Sequence, residues 1–184
     1  MERMLKEKYD KVALPQFTET LREECYNSIE KFCENAKKQA SKLNNLELQQ
    51  STSQYTSLCD KLITEIEQFV AERKEKYIPY IMQLSEKVTT QHDCAGCSGN
   101  CKLNHDMALL ELRTSHTGIK NILYRLQMVT LPLYSETIYP DAYRVLRNQM
   151  ALIESNLTEL YFIEENFLIP KITEAQKNIN AGGN

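Results

Sequence analysis

The chain has 184 residues, of which 26% are charged, and a formal net charge of −3. It has no basic excess of the kind that marks nucleic-acid binding, and no apolar run near the ~20 residues that would span a bilayer. The start, "MERMLKEKYDKV", lacks the apolar core of a secretory signal. We therefore expect a cytoplasmic protein with reduced thiols that binds neither nucleic acid nor membrane.

Apolar residues recur in steps of three and four along four segments, a spacing typical of amphipathic helices. The segments run from about residue 15 to 43, 51 to 92, 103 to 128 and 141 to 178. No segment alternates with the period of two typical of strands. The sequence therefore predicts an all-α fold, an antiparallel four-helix bundle, in a single domain over 1–184 with its core at about 15–178 and a flexible tail at 179–184.

Two features qualify this pattern. Pro79 and Pro170 lie inside predicted helices, where we expect a kink or an interruption, because a proline has no N–H to donate. The charge runs "KEKYDK" (6–11) and "ERKEK" (72–76) are interpreted as solvated faces.

Three polar residues lie on the apolar stripes. Glu164 continues the stripe of the fourth helix while Glu165 turns outward, His116 continues the third stripe, and His92 lies one turn beyond Val88. Glutamate and histidine on facing helices can bind iron, manganese or zinc inside a bundle. Two alternatives stay open: each histidine is a hydrogen-bonded core residue, and Glu164 pairs with an Arg or Lys or meets water at a bundle end.

The segment "HDCAGCSGNCKLNH" (92–105) is predicted to be a loop with metal or redox chemistry. Its thiols have the spacing C-x₂-C-x₃-C, and thiolates select zinc, iron or an iron–sulfur cluster. An alternative is a ligand-free loop that forms a disulfide on oxidation. The candidate ligands are Cys94, Cys97, Cys101, His92 and His105, and His92 is also the bundle candidate. The cysteines on the helices, Cys25, Cys33 and Cys59, are predicted to be core residues.

"YRVLRNQMALIESNLTELYFIEENFLIPKI" (143–172) resembles the last helix of hemerythrin-like proteins. It is closest to the di-iron proteins associated with the repair of iron–sulfur clusters after nitrosative or oxidative damage. The resemblance extends to "FVAERKEKYIPYIMQLSEKVTTQH" (69–92) and "MALLELRTSHTGIKNIL" (107–123). It implies a hemerythrin-like bundle with ligands at Glu164 and His92. The family's other histidine positions fall on Ala71, Thr114 and Leu160, whereas Gly118 matches the family's glycine.

Three functions follow as hypotheses. The first is a metal-binding bundle protein in the response to iron or redox stress, with His92 and Glu164 as bundle ligands and His116 and Glu111 as substitutes. Its loop cysteines would bind metal or exchange disulfides. The second is a non-enzymatic interaction module that has lost its di-iron centre and binds an unknown protein partner. The third is a thiol switch. No phosphate loop or nucleophile elbow indicates an enzyme mechanism, and enzymatic activity and the oligomeric state stay open.

Overall fold

The computed structural model describes residues 2–43, 50–91, 100–133 and 141–181, and every secondary-structure element in those ranges is helical. The all-α prediction is confirmed. The elements are α1 (Glu2–Tyr9), α2 (Leu14–Thr20), α3 (Asn27–Leu43), α4 (Gln50–Glu72), α5 (Ile78–Thr89), α6 (Asn100–Thr114), α7 (Thr117–Leu133), α8 (Asp141–Ile163) and α9 (Ile169–Ala181). Within these ranges, three π-helical turns, π1 (Leu21–Tyr26), π2 (Arg73–Tyr77) and π3 (Glu164–Leu168), join α2 to α3, α4 to α5 and α8 to α9.

The helices divide into two compact units. The first unit comprises Met1–Cys25, Ala71–Ser115 and Glu159–Asn184, and the second comprises Tyr26–Val70 and His116–Thr158. In the first unit α5 packs against α2 and α9, and α6 packs against α9. In the second unit Tyr55 of α4 meets Tyr143 of α8 edge-on, with ring centroids 5.3 Å apart.

The predicted stripes form the core of both units. Apolar side chains from every long helix are almost fully buried, because steps of three and four keep them on one helical face. In the first unit these include Phe17, Leu21, Ile81, Leu84, Leu112, Leu168 and Ile172. In the second unit they include Ile29, Leu62, Ile66, Ile119, Leu146, Ile153 and Leu157.

Pro79 and Pro170 neither interrupt nor end the helical segments in which they lie. In both cases a π turn closes just before the proline: Ile78 N–H donates to the Arg73 carbonyl, and Ile169 N–H donates to the Glu164 carbonyl. A π turn holds an additional residue, which moves carbonyls away from the proline ring that follows. Pro79 and Pro170 thus lie inside continuous helical segments, near the start of α5 and α9 respectively.

Several differences from the sequence prediction concern helix boundaries. α6 already begins at Asn100, inside the segment 92–105 that was predicted to be a loop, and α7 and α9 extend to Leu133 and Ala181, beyond the predicted ends at 128 and 178. α1 was not predicted, because only two of its apolar side chains, Leu5 and Tyr9, are buried, and two positions are too few for a periodic pattern. The third segment is divided by a turn at 115–116 into α6 and α7. The second segment ends at Thr89, and Gln91 adopts the left-handed φ of 51° common just beyond a helix end.

Candidate functional site

Glu164 lies at the first position of π3, and its side chain is fully buried in the first unit. Glu165 beside it is exposed. The inward and outward predictions for these two glutamates are therefore confirmed. A carboxylate in a dry interior requires a cation or hydrogen-bond donors, because burial strongly disfavours an unpaired charge.

Arg73 is the cation that meets Glu164. Its Nε donates to Oε1 of Glu164 and its Nη2 donates to Oε2, each at 3.0 Å. Both side chains are 1% exposed. Two parallel N–H···O bonds between a planar guanidinium and a carboxylate are among the stronger side-chain interactions in proteins. Of the alternatives that the sequence left open for Glu164, pairing with an arginine is the one observed.

The burial of Arg73 corrects the interpretation of "ERKEK" as a solvated face. The charge run suggested a wet surface, but Arg73 occupies the core stripe between Val70 and Tyr77, in steps of three and four. The position of Arg73 on the stripe was the feature of the sequence that could have indicated a buried cation. Glu164, which carries the opposite charge and also lies on a stripe, could have indicated its partner.

The end of α6 supplies further partners for the guanidinium. Nη2 of Arg73 also donates to Oγ of Ser115 at 2.8 Å and approaches the Leu112 carbonyl at 3.4 Å. The turn at 115–116 exposes the last carbonyls of α6, which carry the partial negative charge of a helix C-terminus. The ring of Tyr77 lies 5.0 Å from the guanidinium carbon. The helix break therefore contributes acceptors to the buried cation.

Tyr77 lies between the buried Arg73–Glu164 pair and a half-exposed pair, Lys76–Glu111. Its hydroxyl donates to Oε2 of Glu111 at 2.9 Å, and Lys76 donates to the same oxygen. The hydrogen bond from Lys76, and next the one from Tyr77, lower the pKa of Glu111. Glu111, a substitute metal ligand in the sequence hypothesis, is thus paired with a lysine and a tyrosine.

His116 belongs to the second unit and is buried as predicted. Its ring meets the ring of Phe69 edge-on, with centroids 5.6 Å apart and planes at 63°. This is the packing of an aromatic core residue.

The cysteine-loop candidates fall where the structure gives no side-chain description. His92, Cys94 and Cys97 lie outside the described residues, and Cys101 and His105 lie on α6 without described side chains. Within the described part of the chain, no group of three or more His, Cys, Asp or Glu side chains is arranged to hold a metal ion.

The helix cysteines behave as core residues. Cys33 and Cys59 are fully buried and Cys25 is half-buried. Desolvation is the largest cause that raises the pKa of each of these thiols to about 12. A thiol with so high a pKa holds almost no thiolate at neutral pH, so it is a poor nucleophile and a poor metal ligand.

The donor set around Glu164 does not fit a di-iron centre. Both carboxylate oxygens of Glu164 already accept hydrogen bonds from Arg73. Of the three positions where the resemblance places histidines, Leu160 is fully buried, and Thr114 donates its hydroxyl to the Leu110 carbonyl of its own helix at 3.0 Å. The third, Ala71, has no donor atom in its side chain.

Comparison of the chain with protein-family models, curated proteins and solved structures gives no match. Among the described residues, every helix is too short or too polar to cross a membrane. Across the ranges that the structure describes, the secondary structure is helical, and a buried arginine and glutamate form a bidentate ion pair.

Proposed function

We propose that this protein is a non-enzymatic interaction module built on an antiparallel four-helix bundle of hemerythrin-like descent. The bidentate Arg73–Glu164 pair carries the proposal. The pair includes Glu164, the glutamate that the resemblance assigns to metal, and in it the carboxylate accepts both hydrogen bonds from one guanidinium. Such a site stabilises and orients helices but offers no open coordination position to a substrate.

The side chains around the pair support a structural role. Further hydrogen bonds help a buried ion pair to offset the cost of its desolvation, and here Nη2 of Arg73 donates to Oγ of Ser115 and to the Leu112 carbonyl at the end of α6. Leucine at position 160 is what an apolar core selects once a ligand is not required. The compartment we propose is the cytoplasm, where the six cysteines would stay reduced.

Metal analysis of anaerobically purified protein tests this function. We expect less than one iron per chain in the wild type and no change in Glu164→Gln or in the matched neighbour Glu165→Gln. About two irons per chain in the wild type, lost in Glu164→Gln but not in Glu165→Gln, would overturn the proposal. If Glu164→Gln fails to fold, the double variant Arg73→Met/Glu164→Leu removes the carboxylate without leaving a buried charge.

A second candidate function is metal binding at the cysteine segment, favoured by the C-x₂-C-x₃-C spacing of Cys94, Cys97 and Cys101. Three thiolates would bind zinc, iron or an iron–sulfur cluster, with His92 or His105 as a fourth ligand. Zinc, iron and sulfide are measured in the wild type and in the triple variant Cys94→Ser/Cys97→Ser/Cys101→Ser. Roughly one metal ion or cluster per chain that disappears in the triple variant supports this candidate, and equal content in both proteins contradicts it.

A further inference from the structure

α1 is a polar helix that docks through two side chains. Leu5 and Tyr9 lie four residues apart, so they share one helical face, and they are 7% and 3% exposed. Met4 is 74% exposed, and no other side chain described in α1 is buried. Among the described side chains of α1, this pair therefore supplies the buried contact.

An aromatic socket in the first unit receives Tyr9. The ring of Tyr9 meets Phe17 of α2 edge-on at 5.1 Å and Phe167 of π3 edge-on at 5.8 Å between centroids. Phe162 extends the socket, with its centroid 6.3 Å from that of Phe167. Edge-to-face rings around one side chain form a pocket that selects an aromatic residue.

Charge complements this apolar contact. Lys8 pairs with Glu24 at the rim, and both side chains are about half-exposed. Lys171 of α9 donates from Nζ to the carbonyls of Asp10 and Val12, each at 2.9 Å, which holds the turn that follows α1. The docked face of α1 thus consists of a buried apolar residue, an aromatic residue four positions later that the socket holds, and a basic residue just before the aromatic one.

The docking is weak enough to be reversed. An eight-residue helix is marginal in water without tertiary contacts, and an exposed ion pair adds little. Ala13 is extended, with φ −61° and ψ 146°, and α2 begins there with Pro15 in its first turn. The link at 10–15 also lines an open cavity of about 500 Å³ beside α5 and α9. α2 therefore has a start of its own, and α1 can leave without unwinding it.

We infer that the Phe17–Phe167 socket is a helix-binding site that α1 occupies in cis, and that its partner is an amphipathic helix with a leucine, an aromatic residue four positions later and a lysine or arginine before the aromatic. This inference rests on the proposed interaction function and names its surface. α1 acts as an internal competitor, because a tethered helix is present at an effective concentration that a free partner must exceed. Binding of the partner displaces α1.

The test uses full-length protein and a fluorescent peptide with the sequence of residues 1–12. Leu5→Ala/Tyr9→Ala in the chain undocks α1, so we expect this variant to bind the peptide at least tenfold more tightly than the wild type, by fluorescence anisotropy. Met4→Ala, which changes an exposed residue of α1, is the matched control and should bind like the wild type. Equal affinity for all three proteins, or no binding to the undocked variant at 1 mM peptide, overturns the inference.

A charge exchange distinguishes specific recognition of the peptide from nonspecific apolar binding. Glu24→Lys in the undocked chain should weaken binding two- to fivefold, and a peptide with Lys8→Glu should restore it. If the undocked variant does not fold, amide hydrogen exchange of the wild type replaces the affinity measurement. Saturating peptide should then accelerate the exchange of α1 amides and leave the exchange of α9 amides unchanged. Protection of α1 that is unaffected by the peptide contradicts the inference.

A second copy of this chain is the competing occupant. Dimers of the wild type that are lost in Leu5→Ala/Tyr9→Ala would show that α1 exchanges between copies and would overturn the partner described above. Metal content reports on the proposed function and peptide affinity on the socket, so failure of one is distinguishable from failure of the other.

Discussion

Arg73 and Glu164 lie 91 residues apart in the chain and meet through two hydrogen bonds of 3.0 Å each. Each is the first residue of a π turn, and each precedes a proline by six positions, at Pro79 and Pro170. The motif Tyr-Ile-Pro in one segment corresponds to Leu-Ile-Pro in the other, and Ile81 and Ile172 are both buried behind it. Two similar turns thus present opposite charges to one interior.

A double-mutant cycle measures what this pair contributes. Arg73→Met and Glu164→Leu should each lower the free energy of unfolding by about 3–5 kcal/mol, because each leaves a buried partner uncompensated. Arg73→Met/Glu164→Leu should lie within about 2 kcal/mol of the wild type, since apolar residues replace both charges. Urea unfolding provides the values. Additive losses in the double variant would show that the two residues act independently.

Gly118 provides a test of the glycine that the resemblance highlights. A Cβ built at Gly118, in the first turn of α7, would lie 3.9 Å from Oε2 of Glu65 and closer to nothing else outside its own helix. Alanine therefore fits, and Gly118→Ala should raise the free energy of unfolding by about 0.5–1 kcal/mol through the lower entropy of the unfolded chain. Thermal unfolding measures this change in stability. A lowered midpoint would mean that another atom lies closer to position 118 than the structure shows, which would contradict the prediction.

Stability should fall at alkaline pH because of the buried thiols. The pKa values of Cys33 and Cys59 are raised from 9.0 to about 12, chiefly by burial. Below pH 9 both states hold these protons. Between pH 9 and 12 the unfolded chain releases them first, so stability declines by about 1.4 kcal/mol per pH unit for each thiol.

Urea unfolding between pH 8 and 11 checks the alkaline prediction. Cys59→Ala should give a less stable protein at pH 8 but a slope that is flatter by about 1.4 kcal/mol per pH unit, because one titrating group is gone. An unchanged slope in Cys59→Ala would mean that other groups, such as the buried hydroxyls of Tyr55 and Tyr161, whose pKa values are also raised by burial, dominate the alkaline loss.

Thiol labelling distinguishes helix cysteines from segment cysteines. In the triple variant Cys94→Ser/Cys97→Ser/Cys101→Ser, only Cys25, Cys33 and Cys59 remain. Because their pKa values are raised to about 12, we expect no rapid reaction with an aromatic disulfide reagent at pH 8, and three equivalents after denaturation. A rapid phase in the native triple variant would show that at least one of these thiols is open to solvent.

The sequence predicted most of the helices because their burial is periodic. The inward position of Glu164 followed from its place between Leu160 and Phe167 on a stripe. Arg73 was assigned to the surface, because the neighbouring charges of "ERKEK" outweighed its stripe position. The pair itself joins residues from distant segments, and a single sequence contains no signal of their contact.

Two other features depend on tertiary context. α1 has only two apolar anchors, too few for a periodic pattern, and it forms because Phe17 and Phe167 receive Tyr9. The π turns leave a faint mark: the most deeply buried positions step by four twice in succession, at Arg73, Tyr77 and Ile81 and again at Glu164, Leu168 and Ile172. Regular helices alternate threes and fours, so a repeated four signals one added residue.

The paired turns before Pro79 and Pro170 also restrict how the chain can change. Copying arginine into position 164, or glutamate into position 73, would set two like charges against each other in a site closed to water, where repulsion is weakly screened. The two Ile-Pro segments are therefore not interchangeable. Any exchange between them has to reverse both signs at once.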